Sequence, residues 1–146
     1  MDPLIIARRL IAHASEDVGM ADSNALLLAT SAMYALEKMG LPEGMLPLTH
    51  AIIYVCEAEK SNSVVTAMNL SEQDALNSTD NKVPNHLKNH PSTNADGHGK
   101  YKYPHDYGGY CKQQYLPDSL KDRVYYVPSQ NGREKNLIRK KFRGDK

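Results

Sequence analysis

Apolar positions in the first half of the chain recur at helical spacing, and polar punctuation divides them into four runs. Leu4, Ala7, Ile11 and Ala14 lie three or four residues apart, with Arg8 and Arg9 turned off that face. Ahead of them, Asp2-Pro3 supplies an acidic N-cap and a proline at the first helical position, where its missing N–H costs nothing. Ser15-Glu16-Asp17-Val18-Gly19 closes this helix. A cap at Asp22 or Ser23 opens the next run, Asn24 to Met39, which stops at Gly40. That run has almost no polar face before Glu37, and a helix apolar all round is one surrounded by others. It is therefore predicted at the centre of the core, with its many alanines permitting close helix approach.

Leu41-Pro42-Glu43-Gly44 is a turn, and a third helix is predicted from about Pro47 to Lys60, with Leu48, Ile52, Val55 and Cys56 on one stripe. Ser61 or Asn62 ends it and caps a fourth, Ser63 to about Asn77, with Val64, Val65, Met68 and Leu76 facing inward. Connections this short predict neighbouring, roughly antiparallel helices. From Ser78 the pattern is lost. Val83 to Leu87 can form one helical turn, Asn89 to Asp96 is a polar loop, and Tyr125 to Pro128 is extended at best. Ser129 to Gly132 is a turn or cap, and Glu134 to Phe142 is predicted as a final basic helix anchored by Leu137, Ile138 and Phe142.

Composition agrees with helices. The 146 residues suffice for one domain, and with one Phe and no Trp the core must come from Leu, Ile, Val, Met and Ala. The expected fold is mainly α: a compact bundle over about 3–77, an irregular Gly/Tyr-rich segment over about 78–132, and a basic tail over 133–146. Residues 1–99 carry 6 Lys/Arg against 12 Asp/Glu, whereas residues 100–146 carry 12 against 5. Such opposition suits ends that face each other or a partner, or a basic end that meets a polyanion. Cys56 and Cys111 form no disulfide framework, and Cys56, within an apolar run, reads as a small core residue. No apolar run approaches a membrane span and no cleavable signal pattern opens the chain, so a cytoplasmic setting is expected.

The stretch with most chemical character is Gly97 to Tyr115. Gly97-His98-Gly99-Lys100 lacks the spacing, the preceding strand and the Ser or Thr of a nucleotide-binding loop, and reads as a tight turn. His86 and His90 are four apart, but Pro91 follows and no HExxH glutamate is present, so hydrogen-bonded histidines are expected rather than a metal. His105-Asp106 has no accompanying nucleophile, and no catalytic constellation is complete. Seven of the nine tyrosines lie between Tyr101 and Tyr126, interleaved with Lys100, Lys102, Lys112, Lys121 and Arg123. Rings alternating with cations suit single-stranded nucleic acid. The favoured alternative is that the rings glue an irregular segment onto the helices. Candidate contacts for nucleic acid or a partner are Lys100, Tyr101, Lys102, Tyr103 and His105, with Arg139, Lys140 and Lys141 in the tail.

Collinear segments carry a resemblance. They are Ile6-Ala7-Arg8-Arg9-Leu10-Ile11, Ala14 to Asp22, Gly40-Leu41-Pro42-Glu43 and Ala58-Glu59-Lys60-Ser61-Asn62. Val83-Pro84-Asn85-His86-Leu87, Lys102 to Tyr107 and Gln113-Gln114-Tyr115-Leu116-Pro117 continue it. Together they resemble the C-terminal region of the MgsA/RarA (replication-associated recombination protein A) family, bacterial relatives of the Werner-helicase-interacting protein. The resemblance implies a fragment that starts just past the lid of a clamp-loader-like AAA+ ATPase, with a helical, collar-like fold that assembles a homotetramer. It implies no cofactor in this chain, and ATP and Mg in the parent. It also implies a parent at replication forks, nucleoid-associated, with DNA and single-strand-binding protein as partners and no membrane. Assembly module is the first reading, nucleic-acid or partner binding through the tyrosine-rich loop and tail the second, and an independent enzyme a distant third.

Overall fold

The computed structural model describes residues 2–79, 82–89, 97 and 99–137. The fold is mainly α: four α-helices and several short 3₁₀ turns, with no strand among the described residues. The helices are α1 (Pro3–His13), α2 (Asn24–Met39), α3 (Met45–Glu57) and α4 (Ser63–Asn77). The described residues group into two compact units. One holds the chain up to Asn69 together with the stretch from Tyr125 onward, and the other is Leu70–Val124.

Local chemistry sets the helix ends. The Asp2 carboxylate accepts the Leu4 N–H at 2.9 Å, and Pro3 opens α1. A wider, π-helical turn over Ala14–Val18 extends this helix to Gly19. Asp22, rather than Ser23, caps α2: one carboxylate oxygen accepts the Asn24 N–H at 3.1 Å and the other the Tyr54 hydroxyl at 2.6 Å. Gly40, at φ +68°, ends α2 in a backbone region that side chains disfavour. At the far end of α3, the Lys60 ammonium donates to the carbonyls of Val55 (2.8 Å), Cys56 (3.2 Å) and Ala58. A cation thus meets the negative end of the helix dipole and its orphan carbonyls.

The core is small-residue packing. α2 lies against both α1 and α3, and the buried positions are Ala7, Leu10, Ala14, Val18, Ala25, Ala29, Ala32, Leu36, Leu48, Ala51 and Val55. Alanine stripes let helix backbones approach, so the core gains close contact with little side-chain volume. Three expectations from the pattern are not met. α2 is central but not enclosed, because it buries one alanine stripe and leaves Leu27 and Tyr34 65% and 63% exposed on the other side. α4 buries only Ser63, while Val64, Met68 and Leu76 are exposed. Of the four apolar residues that the pattern turns inward on α4, only Val65 is half-buried. Cys56 is exposed as well, one residue and 100° around the helix from the buried Val55.

What closes this unit is a strap from Tyr125 to Leu137. Within it Gly132–Asn136 forms a 3₁₀ turn where the pattern predicts the start of a basic helix, and Leu137, at ψ 70°, leaves helical geometry. Residues 138–146, with the rest of that expected helix, lie outside the described residues. The turn exists because Glu134 points inward and is fully buried. Its carboxylate accepts the hydroxyls of Ser63 (2.5 Å) and Tyr126 (2.8 Å) on one oxygen and of Ser129 (2.5 Å) on the other. Burial alone pushes this carboxyl up, but hydrogen bonds from Ser129, Ser61, Ser63 and Tyr126 outweigh it and hold the group at about 2. Two contacts between side chain and backbone finish the seal: the Asn131 side-chain amide donates to the Lys60 carbonyl at 2.8 Å, and the Gly132 N–H donates to the Glu59 carboxylate at 2.7 Å. Gly132 sits at φ +52° so close to the turn after α1 that a Cβ there would stand 2.4 Å from the Ala21 carbonyl oxygen.

Two outcomes follow for this seal. Glu134→Gln places amide hydrogens against hydroxyls that also donate, and is expected to cost about 1–3 kcal/mol in denaturant unfolding at neutral pH. Because the folded carboxyl lies below its ordinary 4.5, its contribution is complete above that pH and is lost as pH falls toward 2. The Gln variant should therefore show a flatter fall of stability with acid than the parent chain over that window. Gly132→Ala meets both a backbone penalty and the Ala21 carbonyl, and should lower stability by about 2 kcal/mol or more in the same assay.

Candidate interaction surfaces

In the second unit, short polar contacts rather than regular elements shape the tyrosine-rich stretch. Gln113 acts as a surrogate peptide group: its side-chain oxygen accepts the Lys102 N–H at 3.0 Å and its amide donates to the Lys102 carbonyl at 2.8 Å. The same amide donates to the Tyr115 hydroxyl at 2.9 Å, and the Cys111 thiol donates to the Lys102 carbonyl at 3.4 Å. Between these two arms, Pro104–Tyr107 is a 3₁₀ turn ended by Gly108, and the Gly109 N–H closes back on the Pro104 carbonyl at 2.9 Å. The chain thus doubles back on itself around Lys102.

This arrangement brings five of the sequence-derived candidates together. Lys100, Tyr101, Lys102, Tyr103 and His105 are all exposed on one arm and its turn, and the His105 ring lies 5.0 Å from that of Tyr103 in a tilted contact. Arg139, Lys140 and Lys141 lie outside the described residues. Tyr101, Tyr103, Tyr107, Tyr110 and Tyr115 are between 38% and 56% exposed, whereas it is Tyr126, in the strap, that reaches a buried carboxylate. The backbone of this stretch is held by Gln113 and the Gly109–Pro104 turn, and each of the five tyrosines keeps part of its surface in solvent. Gln113 stands in one of the segments that carry the resemblance, but nothing in the sequence marks its side chain as the group that binds the Lys102 backbone.

Further along the same unit, His86 is buried and its Nε2 lies 2.9 Å from the Gln114 carbonyl, which can only accept, so Nε2 carries the hydrogen. His90, its partner at helical spacing, lies outside the described residues. Among the described residues no group of three His, Cys, Asp or Glu side chains could hold a metal ion. No helix among them is long and apolar enough to cross a membrane.

In the helical unit the notable surface is apolar. Leu27 and Tyr34 share the outward face of α2, with the Lys38 ammonium 5.4 Å from the Tyr34 ring centre. On α3, Leu46 and Ile53 are exposed seven residues apart, one helical face again. Met39, Leu41 and Met45 are exposed where α2 passes into α3. The Tyr54 hydroxyl is held above its ordinary range by the hydrogen bond it gives to Asp22, which ties α3 to the start of α2.

The family described as MgsA AAA+ ATPase C terminal matches residues 1–143. The chain is 38% identical over 141 residues to a replication-associated recombination protein A of Bacillus subtilis, covering 94% of this chain and 34% of that protein. The corresponding Haemophilus influenzae protein is 44% identical over 138 residues, covering 91% of this chain and 31% of that one. A Dictyostelium discoideum ATPase WRNIP1 is 33% identical over 130 residues, 86% of this chain and 15% of its own length. The chain therefore spans about a third or less of these relatives. It belongs to the MgsA AAA+ ATPase C-terminal family.

Proposed function

We propose that this chain is the assembly domain of an AAA+ ATPase working in replication-associated recombination. The recombination role is carried over from the names of the Bacillus and Haemophilus relatives. The assembly role is supported by one observation above all: α2 is apolar nearly all round, yet in the single chain it leaves Leu27 and Tyr34 bare, beside an α3 that exposes Leu46 and Ile53. A folded chain does not gain by exposing such faces, and a second copy of equal chemistry covers them. The charge opposition between the chain's acidic first part and basic last part adds complementary contacts. A homotetramer is the expected state.

In this reading the domain performs no chemistry. ATP and Mg belong to the ATPase portion, DNA and single-strand-binding protein are partners of the whole protein, and its setting is the cytoplasm at the nucleoid. The domain's work is to bring ATPase protomers together, so that each can act on its neighbour.

The deciding measurement is mass by light scattering behind a sizing column, at two concentrations and two salt levels. A stable mass near that of four chains is expected. Leu27→Asp with Leu46→Asp should move the mass toward a single chain while leaving the helical circular dichroism in place, since both side chains are solvent-facing in the monomer. A parent chain that stays monomeric at every concentration overturns the assembly role.

A further inference from the structure

The doubled-back stretch around Lys102 belongs to neither the helical core nor the apolar faces of α2 and α3, and its chemistry is different. Within residues 100–115 stand five tyrosines and three lysines against one aspartate. Every one of the five rings is exposed, as are Lys100, Lys102 and Lys112. An irregular segment usually spends its tyrosines on covering backbone; here the Gln113 side chain and the turn over Pro104–Gly109 hold the backbone instead. Rings held outward on a fixed frame cost little further ordering when a ligand arrives. The Tyr103 and His105 rings already lean on each other at 5.0 Å, and the Tyr115 hydroxyl is tethered to the same glutamine that grips Lys102.

We propose that this tyrosine–lysine platform binds single-stranded nucleic acid, with bases stacking on Tyr101, Tyr103 and Tyr115 and phosphates meeting Lys100, Lys102 and Lys112. Each ring offers a flat face that any unpaired base can cover, and each lysine a cation at sequence-neighbour spacing to a ring. Duplex is a poor match. The segment presents neither a helix nor a two-stranded ribbon to enter a major groove, and paired bases hide their faces. An acidic peptide would satisfy the lysines and leave the rings bare. Gln113 is the positioning residue, because its one amide fixes both arms of the platform. This surface stands independently of the assembly role, since none of its residues lies on α2 or α3.

The test is fluorescence anisotropy of the whole chain with a labelled oligothymidylate of about fifteen nucleotides, at low salt, against duplex of equal length. Single strand should bind roughly tenfold or more tightly than duplex. Tyr101→Ala with Tyr103→Ala should weaken it roughly tenfold or more, whereas the two Phe replacements, which keep the ring, should stay within about twofold. Lys100→Ala with Lys102→Ala should make the salt dependence shallower by roughly 1.4 in the log–log slope, about 0.7 for each phosphate that no longer meets a lysine. Gln113→Ala should weaken binding without altering helical circular dichroism or the light-scattering mass, which separates this surface from the assembly faces. Absence of binding at low salt, equal affinity for duplex, or Ala and Phe variants that behave alike would overturn the proposal. An acidic peptide that binds the platform where oligothymidylate does not would reassign it to a protein partner.

Discussion

A buried carboxylate held by hydroxyls is what the helical unit depends on. Taking an ionised carboxylate out of water is among the most costly acts in folding, and no helix packing of this modest size offsets it without direct compensation. Glu134 is compensated by neutral donors: Ser63 from the first turn of α4, and Tyr126 and Ser129 from its own strap. A seryl or tyrosyl hydroxyl gives its proton to a carboxylate without bringing a second charge that would itself need desolvation. The arrangement is therefore stringent in geometry. The 3₁₀ turn over Gly132–Asn136 aims the side chain inward, and Gly132 lets that turn lie against the Ala21 carbonyl where no other residue fits. Remove the carboxylate and the turn has no reason to form; remove the glycine and the turn cannot reach.

The helices gain from this seal because their own core is shallow. Ala7, Ala14, Ala25, Ala29, Ala32 and Ala51 supply more than half of the buried cluster. Alanine contacts bring backbones together and form helix readily, but each buries little area, so the stability gained per residue is small. The same economy leaves the long side chains of α2 and α3 elsewhere. Leu27, Tyr34, Leu46 and Ile53 are placed outward at helical intervals, as if the interior had been assigned to small residues and the exterior to large ones. That inversion is the physical ground of the assembly reading.

Much of the helical part was legible in the sequence, because helix ends are local chemistry. Asp2-Pro3, Asp22, Gly40 and the Ser61 cap of α4 can be read from short-range rules, and the structure uses each of them. Which face is buried was less legible. Periodicity shows that an apolar stripe exists on α4 and not whether anything is present to cover it, and Cys56 belongs to an apolar run yet lies a hundred degrees from its buried stripe. The strap was the least legible. Glu134 sits in a run of lysines and arginines whose composition reads as a solvated helix, and its donors lie up to 71 residues away in sequence. Only contact at that range distinguishes it from any other surface acid. Gln113 is the same kind of case, since a side chain that imitates a peptide bond has no composition signature. The tyrosines stand out as a group in the sequence, but composition does not say how far each is open to solvent.

The reach from Ser63 to Glu134 also orders events during synthesis. Ribosomes release the chain from its N-terminus, so α1 to α4 emerge with the Ser63 hydroxyl and the Ala21 carbonyl facing a partner that has not yet been made. The whole tyrosine-rich stretch is translated in between. For that interval the nascent helices have the shared core of α1, α2 and α3 without the strap, and the sealed helical unit exists only once the residues around Glu134 have left the exit tunnel. A stop codon or stalled ribosome anywhere upstream of Tyr125 therefore yields, not a shortened but sound domain, but an unsealed one of the sort that quality-control proteases degrade.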